Sequence, residues 1–156
     1  MNTQELVCFS IGHSRHSIEA FAALVKPQGI DMIIDVRSKP NSRFAAQFNR
    51  KVIRDNLAGH ELDYEFLGDL LGGMITDKEL LNEDGSVDNE KITASAGFQQ
   101  GLDKVIASIR EGRRVAIMCA EKDPHACHRY SLISPALEAR GVRMIHLLAD
   151  GGILEE

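Results

Sequence analysis

The stretch that decides the fold is residues 98–120, FQQGLDKVIASIREGRRVAIMCA. Its first half repeats apolar residues at the three- and four-residue spacing of one helix face, at Phe98, Leu102, Val105, Ile106 and Ile109. Gly112 ends that helix, and the apolar run 115–120 then has the length and composition of a buried strand. A helix that leads directly into a fully apolar strand is typical of sheets covered by helices on both faces.

The same alternation continues towards both ends of the chain. Short apolar runs predict strands at 6–11, 32–36, 115–120 and 144–149. Residues 62–66 alternate apolar and charged side chains, as a half-exposed edge strand does. Apolar residues at helical spacing predict helices at 18–25, 49–57, 98–109 and 128–139. Pro135 requires the last of these helices to start late or to kink.

These elements predict a single α/β domain over residues 1–156. The expected architecture is a three-layer, Rossmann-like fold with a parallel sheet of five strands in the order 3-2-1-4-5 and helices on both faces. Residues 82–95 interrupt the pattern, because they are polar and lack periodicity, and Asp84-Gly85 marks a turn. We therefore expect an irregular, exposed insertion loop at 82–95.

The composition favours a protein of the reducing cytosol. Three cysteines, Cys8, Cys119 and Cys127, are an odd number and do not suggest a disulfide framework. No apolar run approaches the roughly 20 residues of a membrane span, and the polar start does not resemble a signal peptide. The net charge of −5 argues against non-specific coating of nucleic acid or anionic membrane. We expect a cytoplasmic protein without a membrane partner, and its oligomeric state stays open.

Polar residues follow three of the predicted strands where those strands end. Ligands in open α/β sheets bind beyond the carboxyl ends of the strands, where the strand order reverses. Here that point falls between the first and fourth strands, and the candidate residues around it are His13, Ser14, Arg37, Arg43, Cys119, Glu121, Cys127, His128 and Arg129. The single Gly12 is not the glycine-rich fingerprint of dinucleotide binders, which disfavours NAD and FAD and leaves the cofactor unknown.

Four segments carry a family resemblance: Ile-Gly-His-Ser (11–14), Asp-Val-Arg-Ser-Lys-Pro-Asn-Ser-Arg (35–43), Gln-Phe-Asn (47–49) and Cys-Ala-Glu-Lys-Asp-Pro-His-Ala-Cys-His-Arg (119–129). Through these segments the chain resembles the family catalogued as domain of unknown function 488. The resemblance spans nearly the whole chain and implies a Rossmann-like α/β domain from prokaryotes. It implies no reaction, because none is assigned to that family. Pro135 departs from the proline-free helix that most members have.

Cys127, His128 and Arg129 are the strongest candidates for chemistry. They are predicted to lie at the start of a helix, where free N–H groups and the helix dipole favour anions and lower the pKa of a thiol. The leading hypothesis is a small enzyme that acts on an anionic, phosphorylated substrate such as a nucleotide or a nucleic-acid end.

In that hypothesis each candidate has a role. The residues expected to bind the anionic substrate are His13, Ser14, Arg37, Arg43 and Arg129. Glu121 or His128 would transfer protons, and Cys119 or Cys127 would be the nucleophile.

The same residues support other functions. Six basic residues and no acidic one occur between Val36 and Arg54, which fits a non-catalytic nucleic-acid-binding or regulatory module. Cys119 and Cys127, with the histidines His13, His125 or His128, offer ligands for a metal or the thiols of a redox sensor. The cysteine spacing is not that of a zinc motif, and we assign no metal ligand. A purely structural alternative makes Cys127 a packing residue and pairs Arg129 with an acidic side chain.

Overall fold

The computed structural model describes residues 5–72, 78–121, 123 and 127–155. Within these ranges the strands are β1 (Leu6–Gly12), β2 (Met32–Asp35), β3 (Asp63–Phe66), β4 (Val115–Cys119), β5 (Val142–Leu147) and β6 (Ile153–Glu155). The α-helices are α1 (Ile18–Val25), α2 (Arg50–Ala58), α3 (Gly68–Leu71), α4 (Asn89–Ala94), α5 (Ala96–Arg110) and α6 (Ser134–Glu138). A π-helix, Arg129–Ile133, leads directly into α6, and short 3₁₀-helices cover Lys26–Gln28, Ala46–Phe48 and Lys78–Leu80.

Helix α1 forms where an N-cap and one apolar face coincide. The Ser17 hydroxyl caps α1 by accepting the Ala20 N–H at 3.0 Å, and Ile18, Phe21 and Val25 then bury one face of that helix. Helix α5 is the helix that the apolar spacing over residues 98–109 predicts, and its apolar face is buried. In the part of the chain that the structure describes, no helix has the length and apolar content needed to cross a bilayer.

One sheet connects the strands in the order β3-β2-β4-β1-β5-β6. Strands β1 to β5 run parallel, and β6 pairs antiparallel with β5. The Rossmann-like α/β fold is therefore confirmed, with β3 at one edge. The order differs from the predicted 3-2-1-4-5 by one exchange, since β4 lies between β2 and β1, and by the added β6. Both β1 and β4 are apolar and largely buried, so their composition does not indicate which one pairs with β2.

Helices cover both faces of this sheet and divide the core into two layers. On one face α1 and α2 pack against alternate strand residues that include Phe9, Ile33 and Met118. On the other face α5 and α6 pack against the intervening residues, such as Ile117 and Met144. The helices that follow β1 and β4 therefore lie on opposite faces, so the loops after these two neighbouring strands diverge, as at a switch point.

The adjacency of β2, β4 and β1 brings three strand ends together. Gly12 of β1 is in register with Cys119 of β4, and the His13 N–H donates to the Cys119 carbonyl at 2.8 Å. On the other side of β4, the Val36 N–H donates to the Met118 carbonyl at 3.0 Å. The loops after β1, β2 and β4 therefore begin side by side at the carboxyl edge of the sheet.

Residues 82–95, predicted to be an irregular loop, contain an ordered element. Only the first part is a turn, bracketed by an isolated antiparallel bridge between Leu81 and Val87. The Asp88 side chain then accepts the Lys91 N–H at 3.2 Å and starts α4. Ile92 is the buried residue of this short helix, so the sequence has no apolar periodicity from which the helix could be predicted.

Pro135 lies just after the point where the π-helix passes into α6. The predicted helix over 128–139 is divided into the π-helix and α6, and Pro135 is the second residue of α6. The Ser134 N–H donates to the Arg129 carbonyl five residues back, so the N–H that Pro135 lacks falls where the spacing of the helical hydrogen bonds is already changed by the π turn. The wide π turn places Arg129 beneath the end of β4, and such turns are frequent at functional sites.

We predict that Gly12→Ala strongly destabilises the protein. A Cβ at Gly12 would lie 1.6 Å from the Glu121 carbonyl oxygen and 2.8 Å from Arg129 Nη1. Forcing an atom into such a packed contact costs about 1–3 kcal/mol or more in the free energy of unfolding. Gly59→Ala is the matched control, since a Cβ there has no neighbour nearer than 3.6 Å. Urea unfolding gives the free energy of unfolding of both variants. Equal values would contradict the close approach of the loops after β1 and β4.

Candidate functional site

Two cysteine sulfurs lie in contact at the carboxyl end of β4. Cys119 is the last residue of that strand, and Cys127 lies just before the π-helix. Their Sγ atoms are 2.7 Å apart, and both cysteines are free thiols. Cys119 is 2% exposed and Cys127 is 8% exposed, so solvent reaches Cys127 more readily.

The side chain of Arg129 is completely buried beside this pair. Its Nη1 donates to Cys119 Sγ at 2.8 Å and to the Glu121 backbone carbonyl at 2.8 Å. The backbone N–H of Arg129 donates to Cys127 Sγ at 3.5 Å. A guanidinium held this close, where water cannot screen it, favours a negative charge on the sulfur pair.

His128 is oriented so that one ring nitrogen faces Cys127. Its Nε2 lies 3.0 Å from the Val36 carbonyl, which can only accept, so Nε2 carries the proton. The other nitrogen, Nδ1, lies 3.6 Å from Cys127 Sγ. His128 is therefore placed to take the proton of the Cys127 thiol and to donate it back.

The two thiols do not ionise alike. The hydrogen bond with Cys119 lowers the pKa of Cys127 to about 4, helped by His128 and the Arg129 backbone N–H and opposed by burial. The same hydrogen bond and burial raise the pKa of Cys119, although Arg129 attracts charge to that sulfur. We assign the thiolate to Cys127 because it accepts from the Arg129 N–H, can accept from the Cys119 thiol and is the less buried of the two. The pair therefore holds one negative charge near neutral pH.

A second buried network lies at the ends of β2 and β3. Arg37 donates from Nε and Nη2 to the two carboxylate oxygens of Asp35, at 2.9 and 2.7 Å. The Tyr64 hydroxyl donates to the same carboxylate at 2.6 Å, and Arg37 Nη2 also donates to the Phe48 carbonyl at 2.7 Å. Asp35 is 0% exposed and Arg37 is 6% exposed. This bidentate ion pair is satisfied internally and fixes the loop that follows β2.

His13 joins this network to the loop after β1. Its Nδ1–H donates to the Ser14 carbonyl at 2.8 Å, and its Nε2 accepts from Arg37 Nη1 at 3.1 Å. The ring stacks on Phe48 with the centroids 4.6 Å apart. Burial, with a smaller effect of Arg37, lowers the pKa of His13 to about 4, so the ring is neutral near pH 7.

The structure brings together most of the residues that the sequence singled out. Cys119, Cys127, His128 and Arg129 form one set of mutual contacts, which we call the cysteine cluster. The backbone of His13 is bonded to the end of β4 beside it. These contacts make a buried thiolate site. Groups that bind an anionic ligand must therefore come from other residues.

The remaining predicted site residues lie in the loops after β1, β2 and β4. Glu121 contacts it through its backbone carbonyl, and the Glu121 side chain is exposed. Arg37 is engaged by Asp35, whereas Arg43 is exposed and lies over the Phe44 ring at 5.1 Å. Ser14 is half-buried with a φ of 49°, a left-handed conformation that marks the sharp turn after β1.

Sequence reasoning missed two residues that complete these networks. Tyr64 was predicted only as an apolar position of an edge strand, yet its hydroxyl binds Asp35. A hydrogen bond of this hydroxyl could have been predicted, because a buried tyrosine hydroxyl needs a partner. The Val36 carbonyl that orients His128 carries no signal in the sequence, since any residue supplies the same group.

The metal hypothesis has no support beyond the sequence. Across residues 5–72, 78–121, 123 and 127–155, no group of three or more histidine, cysteine or acidic side chains is arranged to hold a metal ion. His125, one of the ligands considered, lies outside the described residues.

The fold and the cysteine cluster together define a Rossmann-like α/β domain with a thiol site at the switch point of its sheet. The chain belongs to the family described as Domain of unknown function DUF488, whose model matches residues 17–134. The matched range includes Arg37 and the whole cysteine cluster, and His13 lies just before it. No curated protein and no solved structure matches the chain.

We predict that iodoacetamide labels Cys127 faster than Cys119 and far faster than Cys8. The lowered pKa of Cys127 keeps its thiolate present above about pH 4 and lost below it, so its rate is flat between about pH 6 and 8. Burial raises the pKa of Cys8 to about 12, which makes Cys8 an internal control. Peptide mass spectrometry over time at several pH values measures all three sites. Faster labelling of Cys119, or a Cys127 rate that climbs steeply across that pH range, would contradict the assignment.

Proposed function

We propose that the chain is a small enzyme whose Cys127 thiolate attacks an anionic, phosphorylated substrate such as a nucleotide or a nucleic-acid end. The observation that carries the proposal is the 2.7 Å contact between the Cys119 and Cys127 sulfurs beside the buried Arg129. A cysteine that serves packing alone is desolvated and has a raised pKa, as Cys8 has. Cys127 instead accepts from the Arg129 N–H and contacts the Cys119 sulfur and the His128 ring, which is the environment of a nucleophile.

Each member of the cysteine cluster has a distinct part in this proposal. Cys127 Sγ forms a bond to the electrophilic atom of the substrate while the bond to the leaving group breaks. The electron pair of that bond goes to the leaving group, which takes a proton from His128. Cys119 and Arg129 are positioning residues, because they stabilise the thiolate before it attacks. Water then bonds to the same electrophilic atom and gives its proton to His128, and the bond to Cys127 Sγ breaks to release the product and restore the thiolate.

In this proposal, the residues that contact the anionic substrate lie at the exposed edge of the site. Arg37 and Arg129 are buried and bonded internally, so they set the charge and shape of the site more than they contact the substrate. Arg15 and Arg43 are exposed at the loops after β1 and β2 and are free to approach a phosphate. The proposal includes a cytoplasmic location in a prokaryote, where thiols stay reduced.

A set of generic phosphoesters tests this proposal. The probes are p-nitrophenyl phosphate, bis-p-nitrophenyl phosphate, thymidine monophosphate and oligo(dT) phosphorylated at either end. We expect turnover of at least one probe, and Cys127→Ser should lower that rate by at least about a hundredfold without changing stability. Cys8→Ala is the control, because Cys8 is a thiol of the same sheet outside the cluster. Retained activity in Cys127→Ser contradicts the role of Cys127, and no turnover of any probe contradicts the phosphorylated substrate.

A redox sensor is the second candidate, favoured by the same contact between the sulfurs. Two free thiols in contact can form a disulfide, with the loss of two electrons and two protons to an oxidant such as hydrogen peroxide, which becomes two waters. The lowered pKa of Cys127 makes it the thiol that peroxide attacks first, giving a sulfenic acid that Cys119 then resolves.

Oxidation followed by intact mass distinguishes the two candidates. If the redox candidate holds, about one equivalent of peroxide converts the wild type to a form lighter by two hydrogens, which dithiothreitol reverses. Cys119→Ser should stop at the Cys127 sulfenic acid, trapped by dimedone, and Cys127→Ser should not react. Cys8→Ala should behave as the wild type. Over-oxidation of Cys127 to the sulfinic acid in the wild type, with no disulfide, would exclude the redox candidate.

A further inference from the structure

Arginine side chains lie on aromatic rings along the β3 edge of the sheet and around its carboxyl end. Arg50 of α2 lies over the Phe66 ring at 3.9 Å, and Arg54, one helical turn later, lies over Tyr64 at 5.5 Å. Arg15 and Arg43 both lie 5.1 Å from the centroid of Phe44. These contacts hold the guanidinium groups in place with their charge directed to solvent.

Phe44 is the exposed ring of this set. It is 62% exposed, whereas Phe66 is half-buried and Tyr64 is buried. The neighbouring Ala45 and Phe48 are both packed into the core, so the segment is firmly attached and presents the Phe44 ring outward. A single exposed apolar side chain is ordinary, but one flanked by two cations offers a stacking surface with charge on its rim.

The cations of this surface are not neutralised by acidic partners. Arg15, Arg43, Arg50 and Arg54 make no ion pair with any residue that the structure describes. Elsewhere on the described surface Arg140 and Arg143 do make such pairs, whereas the exposed Arg110 and Arg114 do not. Acidic side chains at its border are Glu19, Asp55 and Glu65, and none lies within the segment 36–54. In a chain of net charge −5, this is a local excess of positive charge.

Room for a ligand adjoins the surface. A cavity of about 460 Å³ is lined by Arg15, Ser17, Ile18, Glu19, Gln47 and Asn56. Arg15 belongs to both the cavity and the Phe44 stack. A chain that stacked on Phe44 could therefore continue past Arg15 into a polar recess.

We infer that this surface binds single-stranded nucleic acid, with a base stacked on Phe44 and phosphates held by Arg15, Arg43 and Arg50. The inference rests on the proposed function in taking the substrate to be anionic, and it names the substrate class. An exposed ring beside unpaired cations suits a ligand that alternates bases with phosphates. A base must leave its helix to lie on Phe44, so a single strand suits the surface better than a duplex. The cysteine cluster at the same edge of the sheet would then face the bound strand.

Fluorescence anisotropy with a labelled oligo(dT) 15-mer tests the inference. We expect salt-dependent binding by the wild type, weakened about tenfold by Phe44→Ala and less by Phe44→Tyr, which keeps a stacking ring. Arg43→Ala and Arg50→Ala should each reduce the slope of log K against log salt by about 0.7. Lys104→Ala and Arg110→Ala are the matched charge controls, since both are exposed on α5, on the opposite face. Ile153→Ala is the control for loss of an exposed apolar side chain.

Two comparisons decide whether the surface acts as described. A duplex of the same length should bind more weakly, and inorganic polyphosphate should bind without sensitivity to Phe44→Ala. Preference for the duplex, or oligo(dT) binding that Phe44→Ala leaves unchanged, overturns the inference, as does the absence of binding. Oligo(dT) binding is read by anisotropy and thiol chemistry by turnover of p-nitrophenyl phosphate, so failure of the thiol chemistry and failure of this surface give different results.

Discussion

The contact between the buried Arg129 guanidinium and Cys119 is the interaction on which the rest of the site depends. It joins the end of β4 to the π-helix and bonds the carbonyl of Glu121 at the same time. Gly12 is required at the neighbouring strand end, because any side chain there would meet these groups. With Arg129 in place, Cys127 and Cys119 are held together, and a cation lies close enough to stabilise a thiolate.

The buried ion pair of Asp35 and Arg37 lies beside this site. Asp35 neutralises Arg37 and positions it against His13, whose ring remains neutral and stacked on Phe48. The Arg37 guanidinium is paired with a carboxylate, and the Arg129 guanidinium lies against the sulfur pair. Exposed arginines on the rim are left to meet an external anion. This division of roles is the physical basis for placing chemistry at Cys127 and substrate contacts at the surface.

Much of the fold was predictable from apolar periodicity, and some of it was not. Helix α5 and strand β4 follow directly from their patterns, and the alternation of apolar and charged residues placed β3 at an edge. The exchange of β1 and β4 could not be predicted, because the two central strands are equally apolar and either is suited to pair with β2. Strand β6 is three residues long and half exposed, too short for a pattern to indicate it. Helix α4 buries Ile92 alone and resembles a loop in composition.

The candidate site was predictable in its location but not in its pairings. Polar residues after β1, β2 and β4 indicated where the site lies, and Cys127-His128-Arg129 were identified from their place before a helix. Which side chains bond to each other depends on contacts between distant segments, as between Tyr64 and Asp35, and on backbone groups such as the Val36 carbonyl. Arg37 and Arg129 were expected to bind an anion, and their burial could be known only from the packing.

The central claim is that the cysteine cluster holds one thiolate, on Cys127, in the folded protein. A titration of the ultraviolet thiolate absorbance against pH, in the wild type and in Cys119→Ser, Cys127→Ser and Cys8→Ala, measures it most directly. The account predicts one thiolate equivalent that persists from about pH 8 down to about pH 5 in the wild type and in Cys8→Ala. It predicts a loss of that signal in Cys127→Ser and a higher pKa in Cys119→Ser. A wild-type protein with no thiolate below about pH 7 would contradict the account.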